Sequence, residues 1–400
     1  MALTVAEALA RVLDGATPLE TETVDVAEAQ GRTLAAPLAA RLTQPPFDAS
    51  AMDGYAVRAA DVARLPARLA VIGEAAAGHP FAGSVGAGEA VRIFTGAPVP
   101  QGADAVVIQE NTRRDGTAVV VTEGTPEAGH VRRRGFDFAA GDALLAAGRR
   151  LGPRELSLAA AMGHGEIAVR RAPRVAVLAT GDELVLPGET PGPGQIVCSN
   201  HLGVAALCRQ AGAVVRFLGI ARDTTKSLDH HIAAATDADV LVTIGGASVG
   251  DHDLVGTVLR SHGMALDFWK IAMRPGKPLM FGKLGAQRVL GLPGNPVSSL
   301  ICARVFVVPL IAALLGRPST AETLETMPAG APIERNGSRQ HYMRATVRPG
   351  PDGRQAAHPA RSQDSSLLSP LAESNAFIVR PIDAPAVAAG GDVQILRLDF

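Results

Sequence analysis

Four hundred residues exceed what one hydrophobic core organises, since compact domains run to about 100–200 residues, so the chain is expected to form two to four domains. With 47% apolar and 19% charged residues, 43 Gly and 28 Pro, the composition is that of a folded, turn-rich globular protein and excludes a disordered chain. A formal net charge of −1 excludes the strong basic excess that marks nucleic-acid or membrane-surface binding, which leaves small molecules and proteins as partners.

The chain opens with a capping box, Thr4-Val-Ala-Glu7, ahead of an apolar periodic stretch that stops at Gly15, which predicts a short helix. The start lacks the basic stretch and apolar run of a signal peptide. From Val24 to Leu42 no clean period is visible, and Gln44-Pro-Pro-Phe47 then breaks regular structure and suggests a boundary. Between Asp48 and Arg134, runs such as Val91–Phe94, Ala105–Ile108 and Ala118–Val121 separated by Gly/Pro turns predict a small β domain. A helix over Arg154–Met162 and a strand over Glu166–Arg170 then return to the N-terminal segment.

From Arg174 the pattern alternates between strand and helix. Strands are expected at Val175–Ala179, Val214–Ile220 and Val240–Ile244. Helices are expected from Ser199 to Ala211, over Lys226–Ala235 and over Leu254–Ser261. Such βαβ alternation implies a mainly parallel sheet with helices on both faces and ligands at the carboxyl ends of its strands. The apolar stretch Leu300–Leu315 carries Arg304 and Pro309 and falls short of the roughly 20 residues of a membrane helix, so a buried helix is expected. After Arg317-Pro318, strands such as Ala376–Val379 and Val393–Leu396 predict a small all-β domain. The expected fold is multidomain α/β, with a central three-layer domain over 173–322. A β-rich insert over 44–137, a mixed domain from 1–43 with 138–172, and a C-terminal barrel-like β domain over 323–400 complete it.

Three cysteines, Cys198, Cys208 and Cys302, are odd in number and unpaired in spacing, which argues against a disulfide framework or a zinc site and for buried free thiols in a reducing cytoplasm.

Three loops fall at predicted strand ends. Gly245-Gly-Ala-Ser-Val-Gly250 can turn tightly and aim N–H groups at an anion, yet it lacks the Gly-Lys-Ser/Thr of a P-loop and the dinucleotide spacing. Gly291-Leu-Pro-Gly-Asn-Pro296 is a second strand-to-helix elbow with Pro296 suited to the first helical turn. Either loop could equally be a structural turn. Acidic residues recur at the same ends: Asp182 and Glu183, Asp223, then Asp251 and Asp253. Singly each could be a helix cap or a solvated acid; together, converging carboxylates near phosphate suggest Mg²⁺. Four of the 38 basic residues are Lys, and Lys270, Lys277 and Lys283 lie within 14 positions, as if a compact ammonium were wanted around Trp269–Lys277 for phosphate or another oxyanion, with chance clustering as the alternative. Asp48–Tyr55, Thr95–Pro98 and the arginine run in Val131–Asp137 read first as turns and a solvated charge run.

In order along the chain, Pro45–Val57, Ile93–Val107, Arg132-Arg-Arg-Gly135, Thr180-Gly-Asp-Glu-Leu184, Gly245–Asp253, Arg274-Pro-Gly-Lys-Pro278 and Gly291–Ser298 resemble the molybdopterin molybdenumtransferase family, MoeA and the gephyrin E domain. The resemblance implies that adenylylated molybdopterin and molybdate yield molybdenum cofactor and AMP with Mg²⁺ assisting. By motif match it gives as catalytic candidates Asp53, Thr95, Arg132, Asp137, Glu183, Asp223, Asp253, Lys270 and Arg274. Glu183, Asp223 and Asp253 would position Mg²⁺ or the attacking water, and Lys270, Arg274 and Lys277 would neutralise phosphate or molybdate. Gly245, Gly246, Ser248, Gly250, Pro293, Asn295 and Pro296 would shape the substrate loops.

It also implies a homodimer whose active site uses both subunits, and contacts with the adenylylating enzyme and with acceptor molybdoenzymes. The chain departs from the family where Arg274 replaces a frequent Lys and where Leu254, not Tyr, follows Asp253. The competing readings are a non-catalytic molybdopterin-binding scaffold, against which the intact acidic residues argue, and a molybdopterin-adenylylating enzyme, which would need only the α/β domain.

Overall fold

The computed structural model describes residues 2–124, 130–246, 254–318, 324–350 and 353–398. The chain divides into two compact units, one formed by Met1–Glu22, Gly31–Ala35 and Ala168–Phe400, the other by Thr23–Gln30 and Ala36–Ile167.

The larger unit is built around a six-stranded sheet in the spatial order Val214–Ala221, Arg174–Thr180, Val240–Ile244, Gln287–Leu292, Met280–Leu284, Ala265–Trp269. The first four strands are parallel, Met280–Leu284 runs antiparallel to them, and Ala265–Trp269, antiparallel to Met280–Leu284, returns to their direction. Strands buried on both faces read as continuous apolar runs, and all five residues of Val240–Ile244 are buried. Alternate side chains supply two cores. Val175 and Val177 face the helix Asn200–Gln210, the long helix Pro296–Leu314 and the capped helix Val5–Leu13. Ala176 and Leu178 face the helices Thr225–Ala233 and Leu254–Ser261. The N-terminal capping box is present, with Glu7 N–H donating to Thr4 Oγ1 and Thr4 N–H to the Glu7 carboxylate. Ser199 stands at the start of its helix but makes no side-chain cap bond.

The helix Pro296–Leu314 runs for 19 residues, longer than the interruptions at Arg304 and Pro309 suggested, and by length and composition it could cross a membrane. A π turn at Ala303–Val307 precedes Pro309, where the helix would otherwise need the missing N–H and meet the proline ring. Of this helix 67% is buried inside the unit, as expected of a core helix.

The same unit carries a second sheet, ordered Met273–Arg274, Gln340–Pro349, Ala376–Arg380, Asp392–Arg397, Glu325–Pro328. Gln355–Pro359 pairs with Gln340–Pro349 on its other register, and a bridge between Ala329 and Ala357 closes the ring, giving the expected barrel-like C-terminal domain. The two-residue strand Met273–Arg274 joins this sheet by pairing with Gln340 and His341, and so ties a loop of the α/β domain to the barrel.

The smaller unit holds a six-stranded sheet ordered Ala105–Ile108, Gly54–Val57, Glu89–Ile93, Ala67–Ala75, Ala118–Val121, Thr112–Asp115. Tyr55 and Val57 point into one core, Ala56 into another, so both faces are covered. Its helix Pro153–Ala161 begins where the Glu155 carboxylate accepts from Gly152 N–H at 2.9 Å and from Arg149. Those bonds, that from Arg149 first, hold the Glu155 carboxyl at about 2.

Candidate functional site

The parallel strands leave Arg174–Thr180 in opposite directions: the chain goes first to Val214–Ala221 on one side and then returns to Val240–Ile244 on the other. At such a switch point the two connections diverge and open a crevice at the carboxyl ends of the strands. A cleft of about 1290 Å³ lies there, bounded by Thr180–Leu184, Ile244–Gly246, Pro293–Pro296 and the loop that starts at Lys270.

Its acidic edge is the turn after Arg174–Thr180. Gly181 sits at φ +150°, a backbone conformation that favours glycine, and the Glu183 carboxylate packs close above it. Glu183 and Asp223 both line the cleft, and neither carboxylate has a hydrogen-bond partner among the described residues. Partial burial, then the charges of Asp182 and Glu183, push the Asp223 carboxyl above its usual range. Among the described residues no group of three or more His, Cys, Asp or Glu gathers as a metal cluster. Two carboxylates lining one cleft nevertheless suit Mg²⁺, which keeps several waters and is held by one or two carboxylates plus substrate phosphates.

The basic edge is the loop 270–279. Lys270 N–H donates to Leu279 C=O at 3.1 Å and Ile271 N–H to Lys277 C=O at 3.0 Å, so Lys270, Arg274 and Lys277 are carried on one closed loop that lines the cleft. Lys270 has φ +84°, a conformation that costs a lysine of order 1–3 kcal/mol. Lys283, grouped with these lysines by sequence, stands elsewhere: it lies 3.4 Å from Asp14.

Between the edges, Gly245 and Gly246 adopt φ +95° and +63°. A Cβ on Gly245 would come within 2.6 Å of the Thr180 carbonyl oxygen, so only glycine allows this close approach. Thr180 Oγ1 is buried beside them without a hydrogen-bond partner among the described residues. Pro293, Asn295 and Pro296 form the far wall, where Asn200 Nδ2 donates to Gly294 C=O at 2.6 Å.

The structure therefore brings together Glu183, Asp223, Lys270, Arg274, Lys277, Gly245, Gly246, Pro293, Asn295 and Pro296. Ser248, Gly250 and Asp253 lie outside the described residues. Asp53, Thr95, Arg132 and Asp137 belong to the smaller unit. There Asp53 Oδ1 accepts from both the N–H and the Oγ1 of Thr95 at 2.8 Å, and these bonds lower the Asp53 carboxyl. Arg132 pairs with Ala49 on a short strand, and Asp137 N–H donates to Gln44 C=O at 3.0 Å.

The sequence reading missed a contribution from the barrel: Arg339, Asp364, Ser365 and Ser366 also line the cleft. The buried guanidinium of Arg344 reaches across to the Ser362, Asp364 and Leu367 carbonyls at 2.8–2.9 Å and folds that loop inward. Ser365 then holds the far wall, taking the Asn295 amide on its Oγ at 2.8 Å and Val297 N–H on its carbonyl at 3.1 Å. The only local signal was a polar Asp-Ser-Ser run, which any surface turn could carry.

Three family models match in succession: "MoeA N-terminal region (domain I and II)" over residues 3–163, "Probable molybdopterin binding domain" over 176–313, and "MoeA C-terminal region (domain IV)" over 326–398. A protein from Nostoc sp. named molybdopterin molybdenumtransferase is 39% identical over 390 residues, which is 95% of this chain and 89% of that one. One of the same name from Haemophilus influenzae is 38% identical, covering 94% of each chain. A crystal structure of a molybdopterin biosynthesis MoeA protein from Pyrococcus horikosii superposes with a TM-score of 0.83 at 31% identity, over 99% of both chains. With the three regions matched in order and relatives similar over nearly the whole length, the chain belongs to the molybdopterin molybdenumtransferase family.

Proposed function

We propose that this chain catalyses the molybdenum-insertion step of molybdenum cofactor biosynthesis, converting adenylylated molybdopterin and molybdate into molybdenum cofactor and AMP. The observation that carries the reading is the opposition of charge across one cleft: Glu183 and Asp223 on one edge, Lys270, Arg274 and Lys277 on the other. A substrate that bears a phosphoanhydride and a second substrate that is a tetrahedral oxyanion both require cationic side chains and backbone N–H groups. Carboxylates beside phosphate would repel it unless a cation intervenes, and Mg²⁺ held by Glu183 and Asp223 would supply charge neutralisation at the anhydride oxygens.

Lys270 and Lys277 act as point charges for phosphate, while the planar fork of Arg274 offers paired donors to molybdate oxygens. The Gly245-Gly246 turn, packed closely on Thr180, brings its strand end to the cleft, and Asn295, fixed by Ser365, walls the opposite side. Water attacks the phosphorus as the phosphoanhydride P–O bond breaks, so that AMP and molybdopterin phosphate separate. The two dithiolene sulfurs bond to molybdenum while one molybdate oxygen leaves with their two protons as water, with no change in oxidation state. A homodimer, in which Asp53, Thr95, Arg132 and Asp137 complete the site, and a cytoplasmic location are part of the same proposal. Carboxylates that line the cleft without a hydrogen-bond partner among the described residues favour catalysis over a scaffold role.

The test is AMP release by the purified protein with authentic adenylylated molybdopterin and Mg²⁺, run in parallel with molybdate and with tungstate. Release of AMP with formation of active cofactor is expected; no release with authentic substrate would refute the proposal.

A further inference from the structure

Among the described residues the two carboxylates of the acidic edge have no side-chain partners to aim them, so their placement is read from the backbone that carries them. Arg222 supplies the link. It lies between the strand Val214–Ala221 and Asp223, and its own N–H is fixed by Ser227 Oγ at 3.0 Å in the first turn of Thr225–Ala233. Its side chain crosses to the neighbouring strand end, where Nη1 donates to Asp182 C=O at 2.8 Å and to Leu184 C=O at 3.4 Å. Those carbonyls bracket Glu183, whose own carbonyl accepts from Ile196 N–H at 2.8 Å on the other side. Two bonds from backbone N–H groups complete the seam: Asp223 N–H donates to the Asp182 carboxylate at 3.2 Å and Gly181 N–H to Ala221 C=O at 3.1 Å.

We infer that Arg222 is a positioning residue, a clamp that holds the Glu183 turn at a fixed setting against Asp223 so that the two carboxylates can share one divalent cation. The inference rests on the reading of the acidic edge given above. One guanidinium nitrogen serves two carbonyls here from a rigid planar group; a lysine ammonium on a flexible stem can reach either carbonyl but fixes the turn less firmly. A cation at this place also offsets the mutual repulsion of Asp182, Glu183 and Asp223 when no metal is bound.

The experiment titrates the full-length protein with Mn²⁺, following free Mn²⁺ by its paramagnetic resonance, for wild type, Arg222→Ala and Arg222→Lys. AMP-release kcat and KM and thermal melting are measured on the same samples. Residues that orient metal ligands typically contribute about 10–100-fold to metal affinity. Arg222→Ala is therefore expected to weaken Mn²⁺ binding about tenfold or more and to lower kcat while KM for adenylylated molybdopterin stays unchanged, with Arg222→Lys recovering part of both. Unchanged Mn²⁺ affinity in Arg222→Ala beside a wild type that binds the ion would overturn the inference. So would a loss of Mn²⁺ affinity that only accompanies a general fall in melting temperature and a rise in KM. If wild type itself holds no Mn²⁺, the metal assignment of the acidic edge fails separately. Arg222 is then decided by kinetics: a fall in kcat at constant KM supports the clamp, and unchanged kcat removes it.

Discussion

The two edges of the cleft are built by opposite means. The acidic edge ends two adjacent strands of the α/β sheet and is stitched by hydrogen bonds from Arg222, Asp223 and Ile196, while the Glu183 and Asp223 carboxylates have no hydrogen-bond partner among the described residues. The basic edge is a loop slung between two sheets, anchored on one side by its own closure and on the other by pairing of Met273–Arg274 with the barrel, and it places Lys270 in a strained conformation. The contrast separates two tasks. A pair of carboxylates needs a fixed mutual setting, and regular strand ends provide it; cations that meet a large anion need reach, which a loop provides.

The comparison breaks most sharply at the acidic edge. Glu183→Gln and Asp223→Asn are each expected to lower AMP-release kcat by about 10²-fold or more, the scale of a lost transition-state charge contact, while equilibrium binding of substrate changes little. At the basic edge the effect should move to binding. Lys270→Ala and Lys277→Ala each remove a charge-assisted contact of about 1.5–3 kcal/mol, so substrate affinity should fall roughly 10- to 100-fold in a calorimetric titration. Lys270→Gly sharpens this further. It should lose the same affinity yet gain about 1 kcal/mol in denaturant melts, because glycine accepts φ +84° without the strain that lysine carries.

Smaller effects are expected where chemistry is absent. Thr243 Oγ1 is buried without a partner among the described residues and does not line the cleft, so Thr243→Val should raise stability by about 1 kcal/mol and leave turnover unchanged. The smallest effect concerns pH. Because the folded Asp223 carboxyl is raised above its ordinary 3.8, the folded state holds the proton more tightly than the unfolded state, and ionisation costs stability as pH rises through the folded value. Without metal, Asp223→Asn should be more stable than wild type at neutral pH and equal to it once the pH falls below 3.8. For a group open to the cleft the difference should stay below about 1 kcal/mol.

Much of this was legible in the sequence. The buried run Val240–Ile244, the Thr4–Glu7 cap and the strand ends at Thr180 and Leu292 were readable because local chemistry and local structure agree there. The lysine cluster of the sequence only partly survives in space: Lys283 lies on the strand Met280–Leu284 and pairs with Asp14, while Lys270 and Lys277 line the cleft. The loop carrying Asp364–Ser366 was missed because nothing local bends it toward Asn295; a buried guanidinium on a distant strand does. The helix through Pro309 ran longer than its breaker implied, because a π turn took up the defect. The strain at Lys270 leaves no trace in residue type at all.

The central claim is that both edges act on one anion-bearing ligand held between them. A crystal of the protein soaked in tungstate, a heavy analogue of molybdate, tests it most directly through the anomalous signal of the metal. The account predicts a tungsten peak inside the cleft, within hydrogen-bond reach of Lys270, Arg274 or Lys277 and beside the Pro293–Pro296 wall. A protein that binds tungstate reproducibly at a site remote from these residues, with the cleft left empty, would contradict it.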